Sequence, residues 1–285
     1  MTSHRTPSTL SPFRLVAVSV VALGAASLVS TLSFDHPVME RLSGRPVNWH
    51  LIWWVHALCS LGKAEVPVWL VAVFAVATRR AKPLMVTLAA LILSTAVVVP
   101  LKVAVHRTRP QVGLASRQGV PPSQTFTTYD WTSFPSGDAS TAFAVATALS
   151  HCMAGLWRPL LYALAVAISA LRVTSLHHFP SDVFAGAAVG LLAGYLAISF
   201  YGRVPLLQVL GLRLGHAPWR GLLAAILVLT PCVMALVDRG NPLVTFLKVC
   251  GVPILVGYAA FFVLDRRPQG NGSSPPSLPG ADRSL

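Results

Sequence analysis

The chain is short of charge, and above all of negative charge. Of its 285 residues only 9 are Asp or Glu, against 22 Lys or Arg, and charged residues make up 11%. A soluble domain has roughly 25%, so that class is excluded. With 54% hydrophobic residues and a mean hydropathy of +0.65, the chain reads as an integral membrane protein. Cysteine is scarce too. Cys59, Cys152, Cys232 and Cys250 form no C-x-x-C pair and have no His at metal-ligand spacing, so no zinc or dithiol motif is present. Three of them fall in or beside apolar runs, where Cys behaves as a small hydrophobe. No carboxylate cluster is available to bind a metal, and no internal repeat is evident. The net charge of +13 lies mostly in loops between apolar runs. That placement suits anionic headgroups and membrane orientation, not nucleic acid.

What is abundant is apolar sequence of membrane-spanning length. Residues 1–12 are polar and expected to be disordered. A first span is predicted over 15–34, kept as an uncleaved anchor although Ala25-Ala26 resembles a cleavage region. Residues 35–62, with Trp49, Trp53 and Trp54, read as a surface-lying helix with an aromatic belt. Further spans are expected at about 64–78, 83–105, 138–156, 158–176, 180–201, 219–237 and 243–264, eight in all. The fold class is therefore all-α, a polytopic transmembrane helix bundle, forming one membrane-embedded domain over 13–264 with a disordered tail at 265–285. Arg79, Arg80 and Lys82, the basic 202–218 loop and Arg266-Arg267 belong inside by the positive-inside rule. Three segments at the other span ends then face outward, and their cations run against that rule, as binding-site cations would.

The first segment holds Lys102 and, seven residues on, Arg109 before Pro110. Two turns of helix would put both side chains on one face, with Pro110 ending the helix. Alone, the pair reads equally as cations snorkelling to headgroups. Yet Lys102 is deep for an anchor, and intramembrane charge usually has a function. The second segment, Pro135-Ser136-Gly137-Asp138, precedes a long apolar run. Ser136 offers a hydroxyl, Gly137 lets the backbone approach closely, and a helix start favours an anion. Its plain reading is an N-cap. The third segment contains Arg172, His178 and Asp182. Pro180 suits a first helical turn, which leans Asp182 back toward His178. A carboxylate beside an imidazole fixes its tautomer and raises its basicity, and Arg172 offers a planar fork for phosphate oxygens. The plain reading is helix-dipole complementation by Asp182.

Together these segments resemble the K-x6-RP, PSGH and SR-x5-H-x3-D motifs of the type 2 phosphatidic acid phosphatase superfamily, which includes vanadium haloperoxidases. The match spans 102–182. The resemblance implies a six-helix phosphatase core plus about two extra C-terminal spans. It implies a metal-independent hydrolase of phosphoric monoesters or diphosphates, with no cofactor. His178 would be the nucleophile forming a phosphohistidine and Asp182 its activating partner. Lys102, Arg109, Arg172, Ser136 and Gly137 would hold the phosphate. Phosphoryl transfer needs charge neutralisation and positioning above all.

Two positions depart from the pattern. Leu171 replaces a Ser, a minor change, and Asp138 replaces the His expected to protonate the leaving oxygen. Three readings of Asp138 follow: a neutral carboxylic acid that still donates, a substrate whose good leaving group needs little help, or a site that binds without turnover. The expected substrate is a lipid phosphate or lipid diphosphate at the outer face of a bacterial plasma membrane. Its partners are membrane lipids, and the oligomeric state is left open. A lipid phosphotransferase, a non-catalytic lipid-phosphate binder and a vanadate-dependent haloperoxidase are the alternatives. Residues 111–133, with Phe126, Tyr129 and Trp131, read as a loop over the site that shapes headgroup choice.

Overall fold

The structure, a computed structural model, describes residues 11–43, 61–63, 65–78, 80, 82–117 and 131–204. Residues 44–60 of the surface-lying helix expected at 35–62, the centre of the 111–133 loop, the spans at 219–237 and 243–264, both polar ends, and Cys59, Cys232 and Cys250 lie outside the described residues. Among those described, every regular element is helical: α1 (Pro12–Ser33), α2 (Asp35–Ser43), α3 (Glu65–Thr78), α4 (Lys82–Val105), α5 (Pro110–Arg117), α6 (Gly137–Cys152), α7 (Trp157–Thr174) and α8 (Pro180–Arg203). Helices α1, α4 and α8 begin stretches long and apolar enough to cross a membrane. The chain is thus a multi-pass membrane helix bundle. Helices α3, α6 and α7 have 14, 16 and 18 residues. At 1.5 Å per residue even α7 reaches only ~27 Å, just short of a bilayer core.

Helix α8 is central, packing against α1, α4 and α6, while α7 lies on α6 and α3 on α4. The packing is inside-out relative to a soluble bundle. Small residues such as Ala139, Ala144, Ala148, Ala187 and Ala197 are buried, whereas Leu28, Leu32, Ile92, Val103, Leu160 and Val166 face outward. Lipid is as apolar as leucine, so helices gain by close backbone approach through small side chains. Gly186, Gly190 and Gly194 make that approach between α8 and α6. A Cβ on Gly190 would stand 2.3 Å from the Ser140 carbonyl oxygen, and one on Gly186 2.4 Å from that of Ser136. Gly190→Ala is therefore expected to cost about 1–3 kcal/mol by overpacking, read as a lower unfolding midpoint in detergent. An unchanged midpoint would show that the crossing has slack.

One expectation needs correction. Pro110 does not end the helix that bears Lys102. Helix α4 stops at Val105, His106 turns the chain with φ 46°, and Pro110 opens α5 instead. Proline is well placed there, since a first-turn residue has no intrahelical N–H bond to lose. Arg109 thus leaves the α4 face and sits in a connecting turn.

Candidate active site

Three chain turns meet at one end of the bundle. The α4–α5 turn supplies Arg107 and Arg109, and Lys102 lies one turn below it on α4. The start of α6 supplies Ser136, Gly137 and Asp138. The α7–α8 turn supplies His177 and His178, flanked by Arg172 and Asp182. At the last turn Leu176 takes a left-handed conformation, φ 61°, which is unusual for a branched side chain. The amides of His177 and His178 both donate to the Arg172 carbonyl. This reversal folds the two histidines back over the end of α7.

Asp182 lies in the first turn of α8 and is fully buried. Its Oδ2 accepts from the Phe179 amide (2.9 Å) and from Ser133 Oγ. The same oxygen lies 3.6 Å from His178 Nδ1, a charge contact too long for a hydrogen bond. Ser133 fills the gap, with Oγ 3.4 Å from that nitrogen. Asp182 therefore acts on His178 partly through a hydroxyl, leaving Nε2 as the ring nitrogen turned away from the carboxylate.

His178 is 1% exposed. Burial pushes its pKa down to about 4, with Asp182 opposing the shift and Arg109 and Arg172 adding to it. The ring is neutral near pH 7, the form with a lone pair to offer. Burial likewise takes His177 down to about 4. The unfolded chain takes up these protons from an ordinary value of 6.5, the folded chain only near 4. Stability should therefore be level above pH 6.5 and fall as pH drops through that window. Thermal melts of wild type and His178→Gln would test this: the variant should lose less on acidification, and equal losses would refute it.

The expected phosphate-binding cations gather here. Lys102 interacts electrostatically with Arg109, Arg172, Asp138 and Asp182. Its Nζ donates to the Thr132 carbonyl at 2.6 Å, and a Cβ on Gly137 would lie 3.9 Å from its Cε. Arg109 is almost wholly buried and donates from Nη1 to the His177 carbonyl at 3.4 Å. Ser136 is buried as the N-cap of α6, its Oγ accepting from the Ala139 amide while its own amide donates to the Asp182 carbonyl. Asp138 makes an ion pair: its Oδ2 lies 2.7 Å from Arg172 Nε. That N–H is not aligned for a hydrogen bond, so the contact is one of charge and proximity.

The structure also assembles residues that the motif spacing did not single out. Arg107 Nη1 donates to Ser181 Oγ (2.7 Å) and Asp182 Oδ1 (2.9 Å), and Nη2 to Asp35 Oδ2 (2.7 Å). Its guanidinium stacks 4.0 Å from the Phe179 ring centroid. A faint signal existed: Asp35 is one of only 9 acidic residues, and it follows the first apolar run directly.

A sequence description of the PAP2 superfamily matches residues 83–205, the stretch from α4 to the end of α8 that holds all eight motif residues. Over that stretch the chain is similar to the PAP2 superfamily. Two solved structures are similar to this chain. One is a transmembrane PAP2-type phosphatidylglycerolphosphate phosphatase from Bacillus subtilis, 19% identical with a TM-score of 0.51, covering 67% of this chain and 96% of that one. The other is LpxE of Aquifex aeolicus, 25% identical with a TM-score of 0.48, covering 59% and 96%. The first shows a shared fold. No curated protein sequence matches the chain. The PAP2 match supports a phosphatase held in a membrane, and Asp35 lies outside the matched stretch.

Proposed function

We propose that this chain is a membrane-embedded phosphatase acting on a lipid phosphate or lipid diphosphate, through a phosphohistidine at His178 and without a metal. The observation that carries this reading is the neutral, buried imidazole of His178 set between Asp182 and the cations Lys102, Arg109 and Arg172. In the first step Nε2 attacks phosphorus and the bond from phosphorus to the leaving oxygen breaks. The lipid alcohol departs from a monophosphate; from a diphosphate, attacked at its terminal phosphorus, the lipid monophosphate departs. The Nδ1–H of the phosphorylated ring is held by Ser133 and the carboxylate of Asp182. Water then attacks phosphorus, breaks the P–N bond, and returns the imidazole with release of inorganic phosphate. The cations and the free amides at the start of α6 neutralise charge developing on the phosphoryl oxygens.

The Asp138–Arg172 pair bears on the leaving group. A carboxylate engaged by a guanidinium is poorly suited to donate a proton, which favours a departing group that needs none. The lipid monophosphate leaving from a lipid diphosphate is such a group; the alkoxide of a phosphate monoester is not. The fold supplies lipid-facing helices on either side of the site, which suits a substrate arriving from the bilayer. The positive-inside distribution supports a site on the outer, periplasmic face of a bacterial plasma membrane.

Phosphate release by purified protein in detergent, with chelator present, tests the reading on phosphatidic acid and a polyprenyl diphosphate side by side. Release that survives the chelator and is faster from the diphosphate is expected. A metal requirement, or transfer of the phosphoryl group to an acceptor other than water, would overturn it.

A further inference from the structure

We propose that Arg107 and Asp35 are positioning residues, which lock the carboxylate of Asp182 behind His178 without cancelling its charge. The proposal rests on the reading of His178 as the reactive imidazole. Neither residue belongs to the three-segment motif, and Asp35 comes from outside the family-matched stretch.

The geometry is that of a strut. One guanidinium nitrogen of Arg107 holds Asp182 Oδ1 and the other holds Asp35 Oδ2. Asp35 is itself pinned: Oδ1 accepts from Ser30 Oγ (2.9 Å) and from the Ser181 amide (3.1 Å), and Oδ2 accepts from Ser181 Oγ. Ser27 on α1 donates to the Ser181 carbonyl. The α1–α2 corner is thus bound to the first turn of α8 at the residue beside Asp182. With Oδ1 fixed by Arg107, Oδ2 is left to Ser133, the Phe179 amide and His178. The carboxylate cannot rotate.

Charge explains why a second acid is present. A lone arginine on Asp182 would form a neutral pair and weaken the negative charge needed behind an imidazole that becomes cationic on phosphorylation. Sharing the same guanidinium with Asp35 leaves one net negative charge on the three groups. Asp35 and Asp182 side chains are both fully buried, while Arg107 is only partly so, so the excess negative charge lies in a poorly screened setting. The fork geometry is specific to arginine, because lysine cannot reach two carboxylates with two fixed donors.

The test compares wild type with Arg107→Lys, Asp35→Asn and Arg107→Gln in detergent, using farnesyl diphosphate as probe. The side chains are also read by 15N NMR on histidine-labelled protein, with His178 assigned by difference from His178→Gln. We expect kcat to fall about 10–100-fold in each variant with KM little changed, by analogy with carboxylates that orient metal-ligating histidines through the second ring nitrogen. The His178 ring should move from a single Nδ1–H tautomer to a mixture. Full activity in Arg107→Lys would show that only charge matters and overturn the strut. So would a raised KM at unchanged kcat, which would make Arg107 a phosphate ligand, or an unmoved His178 signal in Asp35→Asn. Should Arg107→Gln fail to fold, the two milder variants decide. No phosphate release by wild type, with the His178 signal still shifting in the variants, would refute the proposed function and uphold the strut.

Discussion

Replacing His178 by Ala is expected to abolish phosphate release, by about 10^5-fold, the scale on which enzymes lose a nucleophile. No other described side chain combines the same features. His178 is neutral near pH 7, buried, and backed on Nδ1 by Ser133 and Asp182. His177 is neutral too, but its Nδ1 faces the carbonyl and hydroxyl of Ser175, so it has no carboxylate behind it. Stopping the reaction early with strong base and seeking protein-bound phosphate would separate the roles. A phosphoramidate survives base and is lost in acid, so wild type should keep label that His178→Ala never acquires. Label retained in the variant would move the nucleophile elsewhere. A loss of only tenfold would make His178 a positioning group.

The second large effect is expected at Asp138, and its sign depends on the substrate. In Asp138→His the imidazole regains a group able to protonate the leaving oxygen, and Arg172 loses the carboxylate now 2.7 Å away. General acid help is worth about 10^2–10^4-fold where the leaving group needs it. Hydrolysis of a lipid phosphate monoester should therefore rise by up to that factor, while that of a lipid diphosphate should change little. Asp138→Asn frees Arg172 without adding an acid, so it isolates the contribution of the ion pair. Steady-state rates on both substrates decide. No gain on the monoester would mean that Asp138 already donates a proton, as a neutral carboxylic acid, and the leaving-group argument would fall.

Much of this protein was legible before any coordinates. The apolar runs anticipated α1, α4 and α8 to within a few residues, because a span is dictated by length and hydropathy alone. Pro180 and the Ser136-Gly137 pair marked helix starts through backbone rules that act over a few residues. The eight residues that the motif spacing singled out lie together at one end of the bundle, and they could be picked from sequence because each segment is local. Pro110 was misread as a helix end, because it can stop one helix or open another. The left-handed turn at His106, which leaves no compositional trace, decided between them.

The sequence by itself determined a membrane-embedded helical chain with three segments that resemble the PAP2 motifs, because hydropathy, proline and motif spacing are properties of neighbours along the chain. Only the tertiary structure decided that Asp138 pairs with Arg172, that Ser133 stands between His178 and Asp182, and that Asp35 reaches Arg107 and Ser181. These contacts join residues dozens of positions apart. They arise where helices converge on one end of the bundle and their buried charges must find partners, since unpaired charge in that setting is too costly to leave.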